Sequence, residues 1–348
     1  MKIIQTLPQG DLGAVPSAAK AAEDAGFDML MTMENKHDPF LALAVAAVAT
    51  EKVELGPGVA IAFPRSPMVV ANASWDLQLA SKGRFVLGLG PQIKPHNEKR
   101  FSVPWSPPVP RMREYVNALR AIWRSWETGE RLRFEGKHYT FTLMIPNFVP
   151  PSTSQPPVPI TIAAVGEHSL RLSGEACDGV RLHPFCTRAY AEEVAMPLIR
   201  QGMAKTGRKR ENFEVTGGGF VATGETDDDV AQMVEWVRYR VAFYGSTPGY
   251  WPVFEHHGLG DLGRKLNQMT KDGQWDKIAA EISDDVVRLF TAVGRYDQIA
   301  GAIAERFEGV SDAVYASTSA DKRPAIPKDV LQDIKKIPMQ FEGFNRSW

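Results

Sequence analysis

Residues 158–182, VPITIAAVGEHSLRLSGEACDGVRL, decide the fold. An apolar, β-branched run (158–163) meets a turn of small residues, then a helical pattern (167–176), then a second apolar run (178–182). Two strands joined through a helix pair in parallel, because the crossover returns the chain to the same edge. Outward from this unit the alternation repeats. Strand-like runs are read at 2–6, 28–32, 53–59, 84–88, 158–163, 178–182, 213–221 and 312–316. Helical patterns fall at 15–25, 39–49, 68–79, 111–126, 167–176, 189–206, 296–307 and 328–334. A long helical stretch over 227–289 is broken by glycines at 245–249 and 258–263. Eight βα units favour a closed (β/α)8 TIM barrel over an open doubly wound sheet, and the first βα junction lacks the GxGxxG of a dinucleotide fold. The chain is read as one barrel domain over 1–348, with insertions at about 91–110, 131–157 and 225–290.

With 44% hydrophobic and 23% charged residues, the composition is globular. A formal net charge of −1 supplies no global field for nucleic acid or anionic lipid, so an anionic ligand needs a local site. The opening MKIIQTLPQGDLGAVP has one lysine and no long apolar run, so it is not read as a signal peptide, and no membrane span is expected. Cys177 and Cys186 are too few for a disulfide framework and lack metal-ligand spacing, which suits a reducing cytoplasm. Cys177 is expected in the core.

Barrel chemistry gathers at the C-terminal ends of the strands. That filter selects Glu34 to Asp38, Gly58 to Arg65, Gly90 to His96, Ala163 to Gly166 and Arg181 to His183. Small residues at Ala164, Val165 and Gly166 leave bare amides at a helix start, a natural phosphate cradle, or a plain tight turn. His37 precedes an Asp-Pro helix start; it either decorates that cap or donates a proton to a bound ring. His256 and His257, adjacent on a helical stretch, point apart and suit no shared metal; no metal site is expected. The aromatics at 243–254 wall an apolar pocket or fill the insert's core. The apolar loop 144–148 reads as a lid or an oligomer contact.

Four segments carry a resemblance: ENKHDPFLALAVAA at 34–47, LGPGVAIAFPRSP at 55–67, GRFVLGLGPQIKPH at 83–96 and ITIAAVGEHSLRLSGEACDGVRLHPF at 160–185. In order and spacing they resemble the bacterial luciferase-like superfamily, and with FYGSTPGYWPVFEHHG at 243–258 they look closest to its F420-dependent oxidoreductase branch. The resemblance implies a deazaflavin ring over the barrel mouth, with a non-prolyl cis peptide at Gly58–Val59 making a bulge beneath it. It implies His37 as ring-side proton or hydrogen-bond donor, and Glu34 as a second acid/base candidate. Gly58, Val59, Ala60, Gly90, Gln92 and His96 would line the ring and its chain. Ala164, Val165 and Gly166 would hold phosphate, with Arg65, Lys94 and Arg181 as charge partners. The implied activity is hydride transfer between F420 and a small organic substrate. FMN is the alternative cofactor, and an FMN-dependent monooxygenase the alternative activity. The apolar helices after strands two and three suit a homodimer or higher homo-oligomer.

Overall fold

The strands β1 (Lys2–Thr6), β2 (Met29–Thr32), β3 (Glu54–Pro57), β4 (Leu87–Gly90), β5 (Ile160–Ala164), β6 (Gly179–Leu182), β7 (Glu214–Gly217) and β8 (Ala313–Tyr315) pair in parallel in chain order, and β8 returns to β1. This is a computed structural model, and it describes residues 1–315 and 326–348. The ring closes between β3 and β4. Leu55 N–H donates to Arg84 O at 3.0 Å and Val86 N–H to Leu55 O at 2.8 Å. Beyond a cis Gly58–Val59 peptide, β3 resumes as Ala60–Ile61 and pairs with Leu89 and Gly90. The fold is a TIM barrel.

Its outer helices include α1 (Val15–Ala25), α2 (Leu41–Ala49), α3 (Pro67–Ala80), α4 (Pro108–Thr128), α5 (Glu167–Ala176) and α6 (Met196–Ala204). α1 stops at Gly26, whose φ of 103° places it in the left-handed region that closes a helix. α3 begins where Ser66 Oγ accepts from Met68 N–H, with Pro67 at the first helical position.

The structure corrects the sequence reading at the seventh strand. Gly217 and Gly218 both have positive φ, 83° and 95°, so β7 stops there and the chain leaves the barrel. Phe220–Gly224 pairs instead with Thr291–Arg295, an unanticipated strand, in a separate parallel ribbon. The fourth strand lies further along than 84–88, with Phe85 held only as a bridge to Leu55. The helix read over 189–206 has a π turn at Ala191–Ala195 before α6. Ala316, read into the last strand, lies outside the described residues.

Side chains alternate along each strand, so every second residue points into the barrel. Gly56, Gly58, Gly88 and Gly90 carry no side chains of their own on one inner wall, and Met29 and Met31 of β2 and Arg181 of β6 fill the space. A Cβ on Gly58 would strike the Met31 methyl, and one on Gly88 would strike the Pro57 carbonyl and lie 2.5 Å from Arg181 Nε. Low in the barrel, Lys2 Nζ pairs with Glu54 at 2.8 Å and Glu214 at 3.0 Å.

Candidate active site

Three loops close one side of the mouth and are tied together by charge. Glu34 accepts from Arg65 Nη1 at 2.8 Å and from Ile61 N–H at 2.6 Å. Arg65 Nη2 reaches Asp38 at 3.0 Å, while the other Asp38 oxygen caps Phe40 N–H at 2.8 Å. Arg100 donates to Asn35 O, bringing the loop after β4 to the loop after β2. The Glu34 side chain, 6% exposed, is therefore occupied in holding the loops after β2 and β3 together. His37 lies exposed on the same loop and makes no hydrogen bond or ion pair with the described residues.

After β4, Gln92 adopts φ 58°, an uncommon conformation for a residue with a side chain, and its Oε1 accepts from Ile93 N–H at 2.8 Å. A π turn over His96–Arg100 follows. Its Asn97 is buried and donates to Pro91 O at 2.9 Å, fixing the loop. Such departures from regular backbone gather at functional sites. Gly90 and Val59 meet across the bulge: a Cβ on Gly90 would lie 2.6 Å from Val59 Cγ2.

On the far side, Gly166 ends the β5 turn and no side chain caps α5. Around Gly166 a Cβ would meet open space. An uncapped helix start leaves amide donors and the positive end of the dipole for an anion. Tyr190 Oη donates to Val165 O at 2.9 Å and braces the turn from behind. Glu167, in the first turn, is drawn aside by its ion pair with Arg171.

His183 was within the selected junctions but carried no assigned role. It takes the next inward position above Arg181, against Tyr244 and Tyr250 of the insert, with ring centroids 4.3 and 4.5 Å away. Its Nδ1 accepts from Phe185 N–H at 2.9 Å, and burial pushes its pKa down to about 3. The ring is thus neutral with its proton on Nε2, a fixed donor at the mouth. Phe254 packs on Phe185 and Phe290, so the aromatic run divides between the insert's core and a wall beside His183.

The three expected charge partners do not converge on the phosphate turn. Arg65 is spent on Glu34 and Asp38. Lys94 is exposed and 3.9 Å from Glu98. Arg181, 4% exposed, points inward because its strand position faces the barrel axis. His256 meets Glu193 at 3.2 Å and His257 meets Thr187 at 2.7 Å, so the two diverge. Cys177 and Cys186 are both buried, and burial pushes each thiol up to about 12. Loop 144–148 belongs to an excursion anchored on the outer wall. Arg111 Nε donates to Tyr139 Oη at 2.9 Å, and Trp75 Nε1 donates to Pro151 O at 3.0 Å. A cavity of about 190 Å³ lies at the opposite end of the barrel, beneath Phe341 and Phe344. Lys2 there is already saturated by two carboxylates, so this end serves stability.

The luciferase-like monooxygenase family model matches residues 4–313. The chain belongs to this family. An uncharacterised protein of Mycobacterium tuberculosis is 45% identical over 336 residues, covering 97% of this chain and 98% of its own. The 5,10-methylenetetrahydromethanopterin reductase of Archaeoglobus fulgidus is 30% identical over 330 residues, 91% of this chain and 94% of its own. The solved coenzyme F420 dependent tetrahydromethanopterin reductase from Methanopyrus kandleri superposes with a TM-score of 0.74 at 22% identity, covering 97% of each chain. Other relatives and structural neighbours of this chain bear the names of oxidoreductases and monooxygenases. Among the described residues, no helix is long and apolar enough to cross a membrane.

Proposed function

We propose that this chain is an F420-dependent oxidoreductase acting on a small organic substrate such as an alcohol, carbonyl or activated alkene. The observation that carries this reading is an uncapped α5 start, open at Gly166, beside the mouth loops that carry Gly58, Val59 and Gly90. Phosphate fits the bare amides, and the flat ring lies over the mouth loops beside them. The choice of F420 is supported by the methanopterin reductase likeness. When bound, the deazaflavin supplies hydride transfer at its C5.

The protein's own part is orientation, exclusion of water and a positioned proton. Ala60, Gln92 and His96 line the ring and chain, and Ala164, Val165 and Gly166 hold phosphate. His37, with no hydrogen-bond or ion-pair partner among the described residues, is the proton donor. The Glu34–Arg65–Asp38 network holds its loop in place, and His183 adds a fixed Nε2–H from the opposite rim.

One observation favours a second reading, an FMN-dependent monooxygenase. None of Arg65, Lys94 and Arg181 faces the α5 start, and the glutamate tail of F420 calls for cations that a single phosphate does not. Calorimetric titration with F420 and with FMN decides between them: F420 is expected to bind more tightly, and the reverse ranking overturns the F420 assignment. We further propose a homodimer formed through α2 and α3, acting in the cytoplasm.

A further inference from the structure

Arg181 is a cation at the centre of the barrel. Its Nε and Nη2 have no hydrogen-bond partner among the described residues, and Nη1 reaches the Met31 thioether at 3.6 Å. Groups face it from every neighbouring strand. Glu214 on β7 is its nearest opposing charge, yet it lies one inward position deeper than Thr216, which pairs with Arg181, and is held by Lys2 on β1 at 3.0 Å. Tyr315 on β8 lies against the guanidinium and donates to Met31 sulfur at 3.2 Å. β2 presents Met31, β4 presents Gly88, and β5 presents Ala163 beside Arg181 in register. Glu54 closes the lower end on Lys2. Toward the mouth stands the Gly58 bulge, where a Cβ would lie 3.1 Å from Tyr315 Oη.

Charges therefore alternate up the axis: Glu54 and Glu214 around Lys2, then Arg181, then no carboxylate among the described residues before the bulge. A guanidinium stays protonated at any working pH, and an unpaired charge in a low-dielectric interior acts over several ångströms. We infer that Arg181 is a positioning residue that acts through the Gly58 bulge to favour the negatively charged form of the ring bound above it. This rests on the ring reading given above. It holds for either cofactor, because the oxidised deazaflavin loses a hydroxyl proton and the oxidised flavin a ring N–H proton, and each loss leaves an anion delocalised over the ring.

The test is an absorbance titration against pH of the bound, oxidised cofactor, in the wild type and in Arg181→Met. Removing the cation is expected to raise the ring's acid–base midpoint by about 1 pH unit, and Arg181→Lys is expected to restore most of it. Equal midpoints in wild type and Arg181→Met overturn the inference while leaving the ring site intact. Failure of both F420 and FMN to bind the wild type overturns the ring reading and the inference together. Should Arg181→Met not fold, Glu214→Gln tests the same claim with opposite sign. Loss of that carboxylate leaves Arg181 and Lys2 less compensated, so the midpoint falls; no change or a rise overturns the inference.

Discussion

At the scale of single residues, His183 couples the site to stability. Its ring is neutral because it accepts from Phe185 N–H and is enclosed by Tyr244 and Tyr250. Burial holds its pKa at about 3, against about 6.5 in an unfolded chain. Between those values the unfolded chain takes up a proton that the native one refuses. Stability therefore rises with pH across that window and is lost as pH falls through it, by at most about 1.4 kcal/mol per pH unit. Urea unfolding midpoints at pH 4.5 and 7.5 are expected to differ more in the wild type than in His183→Gln. Equal differences refute the assignment. Its place at the end of the sixth strand is legible in the sequence, but its role is not, because its partners lie in the distant insert and no local spacing links them. Glu34 shows the converse. Its place at a strand end is legible in the sequence and the resemblance implies acid/base chemistry, whereas its ion pair with Arg65, from another loop, is tertiary and not legible.

At the scale of elements, α5 follows the Ala164–Gly166 turn and is seated by glycine contacts. A Cβ on Gly174 would strike Ile199 O, and one on Gly202 would strike Arg171 O, so α5 and α6 touch backbone to backbone. Gly202→Ala is expected to push the helices apart and destabilise the fold by about 1–3 kcal/mol. The chemical denaturation midpoint reads this directly, and an unchanged midpoint excludes so close a seat. What the sequence reveals about elements follows from which signals are local. α1 and α5 were legible to the residue, since small turn residues and Gly26 punctuate them. The cis bulge site was named from resemblance. The seventh strand was misread because hydrophobic patterning runs through Gly217 to Gly219, and only the turn of the backbone at two of these glycines separates β7 from the ribbon. Closure of β3 onto β4 is likewise tertiary, a matter of which backbone groups meet.

At the scale of the whole molecule, one wall is more apolar than a solvent-facing wall needs to be. α2, LALAVAAVA, contains no polar residue, yet only one side of it packs on the barrel. Leu41 and Val48 remain 57% and 76% exposed, and on α3 Val69 and Leu79 remain 57% and 55% exposed. A helix apolar all round is one that is covered all round. The excursion over 131–157 is anchored on α3 and α4 and leaves Leu143 and Phe148 exposed at 80% and 71%, adding apolar surface beside α3. A second copy of the chain, placing α2 and α3 against their equivalents, would bury all of this surface symmetrically. A stable interface covers roughly 800 Å² per partner, and two adjoining helices with one loop present a face of that order. Sedimentation velocity at micromolar concentration is expected to show a dimer in the wild type and a monomer in Val48→Arg. A monomeric wild type rejects the interface. A Val48→Arg protein that stays dimeric moves it to another wall, because an arginine at the centre of that face would bury an unpaired charge.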